Sequence, residues 1–174
     1  KATTNSRHNF PVAPNLLNQK FKVNAPDHTW VGDITYIPTN EGWLYLAVLL
    51  DLFNRKVVGW STSSRLTRQL AIEALQMALG RRSPGTELMH HSDQGSQYAS
   101  TDYQKILKEH DMICSMSRKG NCYDNAVAES FFGSLKSEWI NHNRYRSRSE
   151  ATQSILYYIE IFYRSEERRV GKEW

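Results

Sequence analysis

The sequence has few of the features that mark membrane, secreted or disordered proteins. It contains only two cysteines, Cys114 and Cys122, in 174 residues, which is too few for a disulfide-rich secreted scaffold. Its longest uninterrupted apolar run is the eight residues Trp43–Leu50, whereas a membrane-spanning helix needs about 20. A strong charge of one sign is also missing, because 22 basic residues stand against 18 acidic ones for a net charge of +4. This balance permits a polyanionic partner and does not require one.

The hydrophobic content is sufficient for one globular domain. Hydrophobic residues make up 40% of the chain, which argues against wholesale disorder. Residues 1–27 carry three of the five prolines and predict an irregular lead-in. Residues 28–163 contain the periodic segments and predict the folded core. Residues 164–174 resemble a translated sequencing-adapter read, and we interpret them as a non-native tail.

Hydrophobic periodicity changes from strand-like to helix-like along the core. Three strand patterns with short connections come first and predict an antiparallel meander. Helices and strands then alternate, which predicts an α/β fold with a mixed sheet of three antiparallel strands followed by parallel strands, flanked by helices. The predicted strands are Trp30–Ile37, Trp43–Leu52, Lys56–Thr62, Thr86–His91 and Met112–Met116. The predicted helices run from Thr67 to about Leu79 with Gly80 as C-cap, over 101–110 from a Thr101/Gln104 capping box, over 126–139, and from Ser149 to about Tyr163.

Three acidic residues interrupt or follow apolar segments. Asp33 lies in the middle of a hydrophobic strand, where aspartate is disfavoured, so its carboxylate needs a metal ion or a Lys or Arg partner. Asp93 follows a strand, at the kind of position where α/β sheets collect functional groups, although in isolation an aspartate that starts a turn completed by Gly95 is the better explanation. Glu129 lies on a predicted helix outside the buried face. We favour a metal-binding role for Asp33, and the other two remain open on pattern alone.

The helix that carries Glu129 has a second stripe beside its apolar face. Asn125, Glu129, Gly133 and Lys136 share this stripe by helical spacing. A glycine inside a helix costs about 1 kcal/mol relative to alanine. Gly133 therefore either packs closely against the sheet or leaves an open surface that another backbone can approach. Lys136 is either a solvated surface residue or a positive charge for a phosphate near the acidic residues.

Two aspartates and one glutamate on three elements suit a hard divalent cation. Mg²⁺ prefers oxygen ligands, and two ions about 3.5–4 Å apart can activate the attacking oxygen and stabilise the leaving oxygen at a phosphodiester. Three neighbouring carboxylates repel one another. We therefore expect the site to be incomplete until metal and a DNA phosphate arrive.

The spacing and the surrounding sequence resemble a known family. Thirty-five residues separate Asp93 from Glu129, which resembles the D,D-35-E motif of retroviral integrases and related transposases. The segments Trp30–Ile37, Gly42–Ala47, His91–Tyr98 and Asn121–Phe132 are similar to the second-frame transposase subunit of the insertion-sequence-three family of bacterial mobile elements. The similarity extends from about residue 1 to Tyr163.

The resemblance implies a ribonuclease-H-like fold and an integrase-like catalytic core over residues 28–163. It implies metal-dependent DNA strand cleavage and strand transfer at insertion-sequence ends, with Mg²⁺ or Mn²⁺, and two ions, held by Asp33, Asp93 and Glu129. It implies a homo-multimer acting on element ends and target DNA in the bacterial cytoplasm, with no membrane. It also places Lys136 where related integrases contact DNA. Basic residues outnumber acidic ones between residues 118 and 148, and we add Arg118, Lys119 and Asn125 as candidate DNA contacts.

Other interpretations of the sequence remain open. The chain can be a truncated fragment that is catalytically incompetent and only binds DNA or partner subunits. A zinc site would have to draw on His90, His91, His110, Cys114 and Cys122, whose spacing fits no common zinc motif. Asp51 is the best spare carboxylate, and bonding to turn amides or pairing with Arg55 explains it better than catalysis.

Overall fold

The computed structural model describes residues 7–17, 23–118 and 126–163 of the chain. The elements are β1 (Thr29–Thr39), β2 (Gly42–Asp51), β3 (Val57–Ser63), α1 (Arg68–Arg81), β4 (Met89–Ser92), α2 (Ser96–Ala99), α3 (Thr101–Glu109), β5 (Ile113–Met116), α4 (Ala126–Glu138) and α5 (Arg148–Tyr157). A 3₁₀ turn follows α4 at Ile140–His142, and α5 continues as a π-helix over Tyr158–Tyr163. Residues 164–174 lie outside the described residues. No helix in the described ranges is long and apolar enough to cross a membrane.

The five strands form one mixed sheet in the order β3-β2-β1-β4-β5. β2 pairs with both β1 and β3 in the antiparallel sense, whereas β4 pairs with β1 and β5 in the parallel sense. Short connections force neighbouring strands to run antiparallel, and the crossover through α1 allows β4 to run parallel to β1. The predicted α/β class and its mixed sheet are confirmed.

Helices cover both faces of the sheet. On β2, Leu46 and Val48 belong to the cluster beneath α4 and α5, while Ala47 and Leu49 belong to the cluster beneath α1 and α3. The strand is therefore buried on both faces, which explains its unbroken apolar sequence. In this three-layer arrangement, α4 lies over one face of the sheet.

Several predicted element boundaries are wrong. Pro38 belongs to β1, where the sequence predicted a turn. Because β4 pairs with β1 only as far as Val31, the missing N–H of Pro38 removes no hydrogen bond to β4. Gly80 lies inside α1, which ends at Arg81. The caps of α3 and α5 are Ser100 and Ser147, whose hydroxyls accept from backbone N–H groups of the first turn. The one-turn helix α2 is too short to leave a periodic signal.

Candidate active site

The sheet register brings Asp33 and Asp93 to the same level. β1 and β4 run parallel, with Val31 paired to His91. Asp33 and Asp93 each lie two residues beyond this pair, and neighbouring strands are about 4.8 Å apart. Asp33 also shares its face of β1 with Thr35, whose hydroxyl accepts a 2.8 Å hydrogen bond from Lys136 of α4. Asp33 therefore lies between β4 and the helix that carries the third acidic residue.

The environment of Asp33 disfavours its charged form. The backbone N–H of Ile34 donates a 2.8 Å hydrogen bond to Asp33 Oδ1, which stabilises the carboxylate. Burial and repulsion outweigh this bond and raise the pKa of Asp33 from 3.8 to about 8. Burial is the largest cause, followed by the negative charge of Asp93, and Glu129 adds a smaller repulsion. Both other carboxylates therefore lie within electrostatic reach of Asp33.

Asp93 and Glu129 are held differently. Asp93 follows the end of β4 and is partly exposed, and its Oδ1 accepts a 2.7 Å hydrogen bond from the backbone N–H of Gly95. Glu129 is exposed on the first turn of α4, whose opposite face is buried through Ala128 and Phe132. The fold thus supplies one acidic residue each from a central strand, a strand end and a helix.

The donor chemistry of the three acidic residues fits a hard divalent cation. Burial and the negative charges of Asp93 and Glu129 raise the pKa of Asp33, and a bound cation would stabilise its carboxylate against all three effects. Across residues 7–17, 23–118 and 126–163, no three His, Cys, Asp or Glu side chains are gathered as a metal site. Side-chain movement at Asp33, Asp93 or Glu129 is therefore needed before all three can share one ion.

A buried tyrosine lies beneath the two aspartates. Burial raises the pKa of Tyr98 well above its ordinary value, and electrostatic repulsion from Tyr103 adds to this effect. The negative charges of Asp33 and Asp93 make smaller contributions in the same direction. A Cβ atom on Gly32 would lie 3.2 Å from Tyr98 Cε1, so the tyrosine ring packs directly against β1. Tyr98 therefore packs beneath the strand that carries Asp33.

Of the candidate DNA contacts, Lys136 is the best defined. Its ammonium group donates to Thr35 Oγ1 and lies 5.3 Å from the centre of the Tyr36 ring. Burial lowers the pKa of Lys136. The Lys136 side chain therefore reaches from α4 to β1, the strand that carries Asp33. Arg118 is exposed at the end of a described range, whereas Lys119 and Asn125 lie outside the described residues.

Gly133 faces open space in the middle of α4. A Cβ atom there would meet nothing within 4 Å, and the residue is exposed. Of the two interpretations of this glycine, the structure favours the open surface over close packing.

We expect Gly133→Ala to stabilise the fold by about 0.5–1 kcal/mol, because alanine restricts the unfolded chain and fits the helix without contact. Urea unfolding of both proteins at the same pH measures this difference. A destabilised variant would contradict the open-surface assignment.

The residues considered for zinc have separate partners. His90 Nε2 lies 2.6 Å from the Tyr103 hydroxyl, His91 Nδ1 lies 2.8 Å from the Ser115 hydroxyl, and His110 bonds within its own helix. Cys114 is partly buried beside α3, and Cys122 lies outside the described residues. Each of these contacts uses one ring nitrogen of its histidine, and the three histidines contact different partners instead of one another.

Asp51 has a structural environment. Its fully buried carboxylate accepts hydrogen bonds from the backbone N–H groups of Asp27 and Phe53, both at 2.9 Å. Its nearby cation is Arg82 at 3.8 Å, where the sequence suggested Arg55. Burial raises the pKa of Asp51 despite these bonds. Asp51 thus stabilises the end of β2 and stays away from the three acidic residues of the candidate site.

Family models match most of the core. The model described as integrase core domain matches residues 23–122, and a second model with the same description matches residues 110–165. The first match includes Asp33 and Asp93, and the second includes Glu129.

Bacterial insertion-sequence proteins are similar to the chain over nearly its whole length. It is 53% identical over 156 residues to the transposase InsF of insertion sequence IS3A from Escherichia coli, covering 90% of this chain and 54% of that protein. It is 50% identical over 161 residues to the transposase of IS904 from Lactococcus lactis, covering 92% of this chain and 64% of that protein. The chain therefore spans roughly half to two thirds of these relatives.

Retroviral integrases share the fold. The simian T-cell lymphotropic virus intasome, solved with a regulatory subunit of PP2A, matches with a TM-score of 0.66 and 21% identity, over 89% of this chain and 54% of that chain. The HTLV-2 integrase catalytic core, solved with magnesium, matches with a TM-score of 0.56 and 22% identity, over 67% of this chain and 71% of that chain. The sheet order, the two helical layers and these matches agree on a ribonuclease-H-like architecture. The chain belongs to the integrase core domain family.

Proposed function

We propose that this chain is the catalytic core of a DNA transposase that cleaves and joins strands at insertion-sequence ends with divalent metal ions. The observation that carries the proposal is the environment of Asp33, whose pKa is raised to about 8 by burial and by repulsion from Asp93 and Glu129. A fold gains nothing in stability from burying one carboxylate within reach of two other negative charges, so the arrangement is best explained by a positively charged ligand. The relatives named as transposases support the assignment.

The proposed reaction has two phosphoryl-transfer steps. In the first step, a water oxygen bonds to phosphorus at the element end, and the departing 3′-oxygen takes up a proton to become a 3′-OH. In the second step, this 3′-OH loses its proton as its oxygen bonds to a target phosphorus, and the 3′-oxygen of the target strand leaves. When bound, Mg²⁺ or Mn²⁺ would polarise the phosphate and favour deprotonation of the attacking group.

The residues of the chain prepare this chemistry. Asp33 must lose its proton to act as a ligand, so a cation and Asp33 ionisation assist each other. Asp93 has one oxygen held by the Gly95 N–H, which orients the carboxylate. Glu129 on α4 would complete the set, with two ions shared among the three residues.

The partner assignments follow from the same proposal. Lys136 lies on the helix of Glu129, and we propose that it contacts a DNA phosphate with help from Arg118, Lys119 and Asn125. The HTLV-2 core was solved in dimeric and trimeric forms, and we propose that this chain also works as a homo-multimer on DNA. We place it in the bacterial cytoplasm, where its DNA substrate is found.

Strand transfer on a branched DNA tests the proposal. Such a substrate sets a 3′-OH beside a target phosphodiester, so it needs no recognition of an end sequence. We expect Mg²⁺-dependent joining by the wild-type chain and a loss of at least about 100-fold in Asp93→Asn, because a metal ligand contributes more than the 10–100-fold typical of outer-shell groups.

An exposed acidic residue away from the candidate site provides the matched control for the loss of one carboxylate. Glu109→Gln removes a carboxylate at the end of α3 and should retain wild-type joining. DNA binding without joining in Mg²⁺ or Mn²⁺ would favour the alternative of an incompetent fragment. Equal joining by wild type and Asp93→Asn would refute the proposed site.

A further inference from the structure

The lead-in segment reaches the loop that carries Asp93. The ring of His8 lies 2.6 Å from the backbone carbonyl of Gln94 through its Nε2 atom. Its other nitrogen, Nδ1, accepts a 3.1 Å hydrogen bond from the N–H of Phe10. Because Nδ1 is an acceptor, the ring proton is on Nε2 and is donated to Gln94. His8 thus holds the carbonyl of the residue that directly follows Asp93.

The same loop segment holds the Asp93 carboxylate. The N–H of Gly95 donates a 2.7 Å hydrogen bond to Asp93 Oδ1, and the Gly95 carbonyl accepts from the first turn of α2. Gln94 lies between the two residues. Fixing the Gln94 carbonyl therefore restrains the peptide units on both sides of Gln94 and the bond that orients Asp93.

The segment that carries His8 is itself anchored across β5. Phe10 and Ala13 pack against the core cluster beneath α1 and α3. The N–H of Met116 donates to the Pro14 carbonyl at 3.2 Å. Leu17 is buried in the cluster on the other face of the sheet. Residues 7–17 therefore cross the edge of the sheet, with an anchor on each face.

A second connection leads from this segment to the strand of Asp93. The Ser115 hydroxyl accepts from the N–H groups of Leu16 and Leu17 at 2.9 and 3.2 Å. The same oxygen lies 2.8 Å from His91 Nδ1, two residues before Asp93. The segment thus contacts the surroundings of Asp93 both after and before the aspartate.

We propose that His8 is a positioning residue, which holds the loop after β4 through the Gln94 carbonyl and so keeps Asp93 oriented for metal. The inference rests on the proposed function only in its last step, because the holding of the loop is independent of metal and DNA. His8 would thus influence metal binding through the loop that it holds, without touching the metal or the DNA. Any movement imposed on residues 7–17 would then reach the acidic site.

Amide hydrogen exchange at Gly95 tests the proposal in the metal-free protein. We expect His8→Ala to speed exchange at Gly95 about fivefold, which corresponds to the loss of one hydrogen bond. His8→Leu keeps the bulk without the donor and should behave in the same way, and it replaces the alanine variant if that variant does not fold. His8→Gln can donate through its amide and should restore slow exchange.

Mg²⁺ binding then tests whether the loop held by His8 affects the acidic site. We expect His8→Ala to weaken Mg²⁺ binding by about tenfold in calorimetric titration, with Asn9→Ala as the control, since Asn9 is the exposed neighbour of His8. Unchanged Gly95 exchange in both His8→Ala and His8→Leu would overturn the proposal. So would faster exchange spread equally over α1, because that is general destabilisation. Faster Gly95 exchange with no Mg²⁺ binding even in wild type would leave the holding role of His8 intact and count against the proposed function.

Discussion

Asp33→Asn is expected to abolish strand transfer and, at the same time, to stabilise the metal-free protein at alkaline pH. The pKa of Asp33 is about 8 in the folded protein against an ordinary value of 3.8. Between these values the unfolded chain has released the proton while the folded chain still holds it, so stability falls as pH rises. Asparagine has no proton to lose, and its side-chain oxygen can still accept the hydrogen bond from the Ile34 N–H. The stability of the variant should therefore not fall with pH through this residue.

The size of the effect follows from the shift. A shift of four pKa units at Asp33 changes the free energy of unfolding by about 6 kcal/mol as an upper bound. Water reaches the partly exposed side chain of Asp33, so we expect a change of about 2–4 kcal/mol. Urea unfolding with a chelator at pH 5, 7 and 9 should show the smallest difference between the two proteins at pH 5 and larger differences at pH 7 and 9. Mg²⁺ should then stabilise the wild type at pH 9 and leave Asp33→Asn unchanged. Parallel pH profiles would contradict the assignment of Asp33.

Gly59→Ala should have the largest effect on folding. A Cβ atom on Gly59 would lie 2.2 Å from the carbonyl oxygen of Ala74 and 2.9 Å from the backbone nitrogen of Ala78. Both atoms belong to the backbone of α1, so no side chain can rotate away. We expect a loss of about 3 kcal/mol or more in unfolding free energy, or failure to fold, because overpacking here must move α1 off β3.

Gly80→Ala is the matched control for this prediction. Gly80 lies in the same helix, and a Cβ atom there would meet nothing within 4 Å. Alanine at this position should stabilise the protein by about 0.5–1 kcal/mol. Thermal or urea unfolding compares the three proteins directly. A Gly59→Ala variant as stable as wild type would show that α1 packs less closely on β3 than described.

The strand meander could be predicted because its signals are local. The apolar run Trp43–Leu50 and the short connections on either side of β2 determine antiparallel pairing without knowledge of distant residues. The π-helical end of α5 and the one-turn helix α2 could not be predicted, since neither has a periodic signature. The Ser147–Glu150 capping box was present in the sequence and would have identified the correct cap of α5.

The residues of the candidate site could be proposed from the sequence, whereas their arrangement in the fold could not. An aspartate inside a hydrophobic strand marks Asp33, and the resemblance selects Asp93 and Glu129. The parallel register that brings Asp33 level with Asp93 depends on the 49 residues that separate Thr39 from Met89, and no local pattern specifies it. The contact of His8 with Gln94 joins positions 86 residues apart in sequence, so it was equally invisible to spacing arguments.

We propose above all that Asp33 and the two carboxylates within its electrostatic reach, Asp93 and Glu129, close around a divalent cation when DNA is bound. The most direct test of this proposal is the pKa of Asp33, measured by carboxyl NMR in the wild type and in Asp93→Asn, with and without Mg²⁺. The account predicts a value near 8 in the metal-free wild type, a lower value when Asp93 is neutral, and loss of the titration when Mg²⁺ holds the carboxylate ionised. An Asp33 that titrates near pH 4 in every sample, unmoved by Mg²⁺ or by the loss of Asp93, would contradict it.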